Sequence, residues 1–168
     1  MSLEKIISKS MEKAQSAQAL MLTTETSTVD FQFDRLKAAE SSQRTQIDLK
    51  VIVDGKVGTS STTDPSDVEG VVSRALEAAQ FGSPANFDFP EPQSLEPVQI
   101  FDPALLTLEK PEMISMGQQM MDMVKSYNPE ILSGALVQKI IYKVDYANSK
   151  GANYSAEHTA FNLGAGGE

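Results

Sequence analysis

The chain has one histidine, His158, and no cysteine, so any thiol nucleophile or thiolate metal ligand is ruled out and most acid–base chemistry would pass through one imidazole. His158 stands in Ala156-Glu157-His158-Thr159. A zinc-binding helix needs two imidazoles one turn apart so that both reach the same ion, and a lone Glu-His pair supplies neither the order nor the second ligand. A Ser-His-Asp triad would have to use the same residue. The segment is strand-like, and an exposed or hydrogen-bonded side chain is the reading it supports. Ser60 and Ser61 follow a hairpin and lack the strained, Gly-flanked turn of a nucleophile elbow, so they read as exposed strand polarity. Asp88, Glu91, Glu96 and Asp102 have the spacing neither of paired acid and base carboxylates nor of a calcium loop, and read as solvated.

Gly164-Ala165-Gly166-Gly167 misses the dinucleotide fingerprint and opens no helix, and Gly55 and Gly58 are equally unsuited to cradle a phosphate. Met113, Met116, Met120, Met121 and Met123 crowd one helix. Core packing accounts for those on its inward stripe, leaving Met116 and Met123 as candidates for an adaptable contact with a partner. No residue is assigned a catalytic, cofactor-binding or metal-binding role.

The whole chain has 168 residues, 40% of them hydrophobic, which is enough for one domain or two small ones. Its 14 basic and 23 acidic side chains leave a net charge of -9, which argues against direct contact with nucleic acid or an anionic membrane surface. No apolar run approaches the roughly 18 to 20 residues needed to cross a bilayer. The absence of cysteine fits a reducing compartment, and a cytoplasmic location is expected. Met1-Ser2-Leu3 and the end at Gly164 to Glu168, directly after a strand-like segment, suggest a fragment.

Periodicity supplies the elements. Leu3, Ile6, Ile7, Met11, Ala14 and Ala17 share a helical stripe, predicting a first helix to about Gln18 with Ser2 as N-cap. Ala19 to Thr24 is strand-like, and Val29, Phe31 and Phe33 alternate with polar residues up to a turn near Asp34 and Arg35. Thr45, Ile47, Leu49, Val51 and Val53 alternate in the same way and close on Asp54-Gly55, a type I′ hairpin pair, with Lys56 to Ser61 returning. A second helix is predicted from Asp64 as N-cap and Pro65 at its first position to Gly82, with Val68, Val71, Val72, Ala75, Leu76 and Ala79 facing the sheet.

Pro84, Pro90, Pro92, Pro97 and Pro103 mark a connector whose Phe87, Phe89, Leu95, Val98, Ile100 and Phe101 suggest packing along the domain. A third helix opens at Pro111, with Ile114, Gly117, Met120, Met121, Val124 and Tyr127 on one face, and ends near Asn128-Pro129. Ile131 to Val137, Lys139 to Ala147 and Ala152 to Leu163 read as three strands, the last two joined by Asn148-Ser149-Lys150-Gly151. The class is α+β: an antiparallel or mixed sheet packed against about three helices, in two helix-then-strands halves joined by the Pro-rich connector. The subregions are 1–82, 83–110 and 111–168.

Val51 to Thr63, with its Asp54-Gly55-Lys56-Val57-Gly58 hairpin and small-residue strand, followed by the helix from Asp64 to Phe81, resembles the N-terminal segment of the TldD/PmbA proteins. Tyr146-Ala147-Asn148-Ser149-Lys150-Gly151 is similar to an Asn-Ser-x-Gly turn farther along that domain. The family is described in terms of DNA gyrase modulation and is related to zinc metallopeptidases. The resemblance implies a longer parent whose metallopeptidase-like C-terminal domain is absent from this chain.

In the catalytic branch an H-E-x-x-x-H zinc motif lies downstream, and nothing here matches it, so no catalytic residue carries over and no cofactor is expected in this chain. Any zinc would belong to the missing part or to a partner. The implied role is a non-catalytic domain contributing to subunit assembly or to the substrate cleft of a peptide-cleaving complex, as a homo- or hetero-oligomer with a TldD/PmbA-type subunit. An extended or unfolded peptide is a further candidate partner through an open sheet edge. Two other readings stand beside it. One is a freestanding interaction module using the Met-rich helix or a sheet edge, and the other is a small enzyme built on converging carboxylates.

Overall fold

The computed structural model describes residues 3–94, 96 and 98–168, so the expectations for Ser2, Leu95 and Pro97 lie outside the described residues. The order is α1 (Leu3–Ser10), β1 (Ser16–Gln32), β2 (Arg35–Val53), β3 (Lys56–Thr62), α2 (Val68–Ala79), α3 (Ala104–Thr107), α4 (Lys110–Tyr127), β4 (Ser133–Asn148) and β5 (Asn153–Gly167). The strands form one five-stranded antiparallel sheet in the order β3-β2-β1-β4-β5, so the α+β class holds, with four helices among the described residues where about three were expected. The chain divides into two compact units, each drawing on several strands. The first is Met1–Thr23, Arg44–Val98 and Lys143–Ala156, and the second is Thr24–Gln43, Gln99–Tyr142 and Glu157–Glu168.

In the first unit the alternation of β1 and β2 buries Ala17, Ala19, Ile47, Leu49 and Val51 on one face, where α1 supplies Leu3, Ile6 and Ile7. A helix of 12 residues is marginal alone. Burial of Val68, Val71, Val72, Ala75 and Ala79 on α2 against these strands is what stabilises it, at roughly 1.5–3 kcal/mol for each fully covered valine. The β2–β3 hairpin turns on Asp54 and Gly55 with φ of 49° and 71°, in the expected I′ geometry, and pairs Val51 with Gly58. Gly58 has α2 directly above it, and a Cβ there would lie 2.0 Å from the Ala75 carbonyl oxygen.

Three boundaries in this unit differ from the sequence reading. The first helix stops at Ser10, not near Gln18, because from Gln15 onward the backbone pairs with the sheet: the Gln15 amide donates to Ile52 O at 2.8 Å. Ala14 and Ala17 are buried as predicted, but from a turn and a strand. The N-cap of α2 is Asp67, whose carboxylate accepts from Gly70 N at 3.1 Å. Asp64-Pro65 instead opens a turn closed by Asp67 N donating to Asp64 O, a pattern that suits Asp at the first and Pro at the second turn position. β1 runs unbroken to Gln32, without the interruption near Thr24 that would have made four strands.

In the second unit β1 and β4 present Val29, Phe31, Ala135 and Val137 to Met113 and Met121 of α4. The helix is opened by a capping box between Glu109 and Glu112, with Pro111 in its first turn. Its face is rotated from the predicted one. Met113 is fully buried, Met116 packs against the core, and Tyr127 is 90% exposed, which leaves Met123 as the exposed methionine of the predicted pair. Ile131 to Ala147 is one strand from Ser133, not two. Gln138, the gap between the two predicted strands, keeps its place by donating to the Thr28 hydroxyl at 3.2 Å, and Lys139 beside it donates to the carbonyls of Leu105, at 3.0 Å, and Leu108. Those carbonyls belong to α3 and its end, a short helix inside the connector that the proline count concealed.

The β1–β2 turn sets Phe33 and Asp34 at φ of 51° and 64° without a glycine. Asp34 fixes it: its carboxylate accepts from the Ser133 amide at 2.9 Å and hydroxyl at 2.7 Å, and pairs with Lys125 at 2.7 Å. The Lys125 ammonium first, and then the Ser133 donors, hold the Asp34 carboxyl down at about 2. A depressed folded value means that the stabilisation is complete above the unfolded carboxyl range of roughly 4 and is lost as the pH falls through about 2.

Two predictions follow from these contacts. Gly58→Ala should destabilise the chain by about 1–3 kcal/mol in urea unfolding, because backbone of α2 has to shift. Asp34→Asn, which tolerates the left-handed turn, should lower Tm at neutral pH, and its deficit against the parent should shrink steadily between pH 4 and pH 2.

Candidate functional site

The face of the first unit turned away from α1 and α2 carries its polar and aromatic side chains. Strand alternation puts Gln18 and Leu20 of β1, Asp48 and Lys50 of β2, and Thr59 and Ser61 of β3 there, where they line an open concavity of about 430 Å³. Gln46 donates to both carboxylate oxygens of Asp48, at 3.0 and 3.1 Å. The same face of β4 and β5 carries Tyr146 and Tyr154, whose rings stack with centroids 5.9 Å apart.

The β4–β5 turn is organised by Asn148, which is only 5% exposed. Its Oδ1 accepts from the amides of Lys150 at 3.0 Å and Ala152 at 3.1 Å, which closes the turn. Its Nδ2 donates to Pro90 O at 2.8 Å and to the Tyr146 hydroxyl at 3.1 Å, and that hydroxyl donates onward to Gln18 Oε1 at 3.1 Å. Ser149 ties the turn to β1 twice, its hydroxyl accepting from Ala17 N and its amide donating to Ala17 O. One buried amide side chain thus joins the turn, the sheet face and the connector.

The connector is held against this turn by its own charges. Lys150 pairs with Asp88 at 2.8 Å and Glu91 at 3.0 Å. The Lys150 ammonium, with the Phe89 amide behind it, lowers the Asp88 carboxyl below its ordinary value, and the two carboxylates raise Lys150. The Tyr154 hydroxyl accepts from Gln93 N at 2.6 Å and donates to Gln93 O at 3.0 Å. Phe89 is buried and meets Phe87 edge-on at 5.9 Å, while Lys50 Nζ lies 5.5 Å from the Phe87 ring centre.

The residues singled out in the sequence are not brought together. His158 stacks on Tyr142 at 4.2 Å in the second unit, far in sequence from Ser60 and Ser61 of the first. Ser60 is not merely strand polarity, because its hydroxyl donates to Val71 O and so ties β3 to α2. Asp88 and Glu91 are paired with Lys150 rather than simply solvated, and the Asp102 carboxylate accepts from Ala104 N, at the start of α3, at 2.9 Å. The glycine tail runs on as β5 to Gly167. Among the described residues no three His, Asp or Glu side chains gather as a metal site would require. Among the described residues no helix is long and apolar enough to cross a membrane. The turn at Asn148 was legible in its Asn-Ser-Lys-Gly residues, but its link to Pro90 had no signal in the sequence.

The arrangement defines a class before it defines a family: a sheet domain whose polar groups bind its own chain together. Residues 17–79 match the PmbA/TldA metallopeptidase domain 1, so this stretch is similar to the first domain of the TldD/PmbA proteins. No curated protein matches it.

Among solved structures, TldE from Thermococcus kodakarensis superposes with a TM-score of 0.85 at 13% identity, covering 96% of this chain and 38% of that one. A protein described as a candidate modulator of DNA gyrase from Bacteroides thetaiotaomicron gives 0.84 at 14%, over 96% and 39%. Another so described, from Thermotoga maritima, gives 0.80 at 15%, over 98% and 42%. The likeness is one of fold, and the chain spans about two fifths of the length of these proteins.

Asn148→Ala would leave the Lys150 amide, the buried Ala152 amide and the Pro90 carbonyl without their partner. It should cost about 1–3 kcal/mol in urea unfolding, more than Ser149→Ala, which removes one hydroxyl.

Proposed function

We propose that this chain is the non-catalytic N-terminal domain of a TldD/PmbA-type, metallopeptidase-related protein, and that it contributes to subunit assembly or to the walls of a substrate cleft. The observation that carries this reading is one of proportion. The fold accounts for 96–98% of this chain but 38–42% of the longer proteins it superposes on. On this reading the metal-binding, peptide-cleaving part belongs to another domain or subunit, the working assembly pairs TldD/PmbA-type subunits, and the setting is cytoplasmic. The chemistry of the present chain is packing and strand pairing. Its terminal strands β3 and β5 are the ones at which an extended peptide would add.

A second reading, a freestanding interaction module, draws on the outer side of α4, where Met123 is 66% and Tyr127 90% exposed. The two diverge in the test tube. The purified chain should not cleave unfolded peptides with or without added zinc, and it should co-elute with a metal-bearing TldD-type subunit in size-exclusion chromatography with light scattering. Chelator-sensitive cleavage by the chain alone would refute the non-catalytic role, and separate elution would favour the freestanding module.

A further inference from the structure

The segment Asp88–Gln93 is bound in the manner of a peptide ligand rather than of a core element. Three of its contacts are to main-chain atoms: Asn148 Nδ2 to Pro90 O, and the Tyr154 hydroxyl to both the amide and the carbonyl of Gln93. Any extended chain offers those groups. Pro90 and Pro92 remove two backbone donors and restrict the chain to extended geometry, so little ordering entropy is lost on seating it. The side-chain contacts set a preference beyond that. Lys150 meets two carboxylates placed three residues apart, and one aromatic ring, Phe89, is buried at 3% exposure. The anchors themselves lie at the surface, with Asp88 60% and Glu91 69% exposed, where ion pairs hold weakly.

We infer that Tyr146, Asn148, Lys150 and Tyr154 form a peptide-binding cradle, occupied in this chain by its own residues 88–93, and that a partner's extended segment of the same chemistry displaces them. That segment would be acidic and rich in proline, with an aromatic residue ahead of the first proline. The occupant is specified by what already sits there: carboxylates opposite Lys150, a proline carbonyl at Asn148 and a free amide–carbonyl pair at Tyr154. Displacement requires only local opening, because the strap contributes a single buried ring. This inference does not rest on the peptidase-related reading above, since the cradle lies within one unit and needs no second domain.

The test uses a fluorescein-labelled peptide with the sequence of residues 86–94, followed by anisotropy. It is titrated against the unaltered chain and against a chain whose residues 86–94 are replaced by a Gly-Ser run of equal length. Saturable binding to the replaced chain is expected, with binding to the unaltered chain weaker by about tenfold or more, because the tethered strap competes. Lys150→Glu in the replaced chain should weaken binding about fivefold, and a peptide carrying Asp88→Lys and Glu91→Lys should recover it.

A folded replaced chain that shows no saturable binding would overturn the inference. Equal affinity for the parent and charge-reversed peptides before Lys150 is altered would do the same. If the replaced chain does not fold, hydrogen exchange on the unaltered chain decides. Exchange of the Phe89 and Gln93 amides by local opening, well ahead of Leu49 and Val51, supports displacement, and exchange only with global unfolding refutes it.

Discussion

The approach of α2 to β3 is the constraint on which the first unit depends. Gly58 lets the helix backbone come where a Cβ would lie 2.0 Å from the Ala75 carbonyl oxygen, and Val71, Val72 and Ala75 are buried at that close approach. The Ser60 hydroxyl, donating to Val71 O from the same strand, fixes the helix along its length as well as in height. The second unit repeats the solution: Gly117 of α4 lies where a Cβ would come within 2.6 Å of the Phe31 ring. In both cases a helix of modest intrinsic stability is held by close contact with an alternating strand rather than by its own propensity.

A sheet covered by helices on one face has a second face to account for. In the first unit that face is partly polar, and Tyr154, stacked on Tyr146, holds a stretch of proline-rich chain where the other face holds helices. The physical difference is large. Helices bury continuous apolar stripes, whereas the strap is held by hydrogen bonds to its backbone and by ion pairs at Lys150. Such contacts position a chain well and stabilise it little, so this face is the part of the unit with the most freedom to serve an external partner.

Polar side chains in both units hold structure together. Asp34 orders a turn made without glycine, Asn148 closes another, and Lys139 satisfies carbonyls at the end of a short helix. Each makes partners of residues distant in the chain, and none is aligned with a nucleophile or a second base.

What the sequence determined by itself was whatever depends on neighbours a few residues apart. The alternation at Ile47, Leu49 and Val51, the Asp54-Gly55 turn, the stripe of α2 and the start of α4 at Pro111 are local patterns, and each appears where its period placed it. Boundaries failed where a local signal met a long-range competitor. The stripe through Ala14 and Ala17 was equally compatible with helix and strand burial until Gln15 found Ile52, and Gln138 read as a gap between strands because its partner, Thr28, lies 110 residues away. The meeting of Asn148 with Pro90, and of Lys150 with Asp88 and Glu91, was decided by tertiary structure alone, because polar side chains in loops carry no periodicity and their partners exist only once the sheet has brought the chain back.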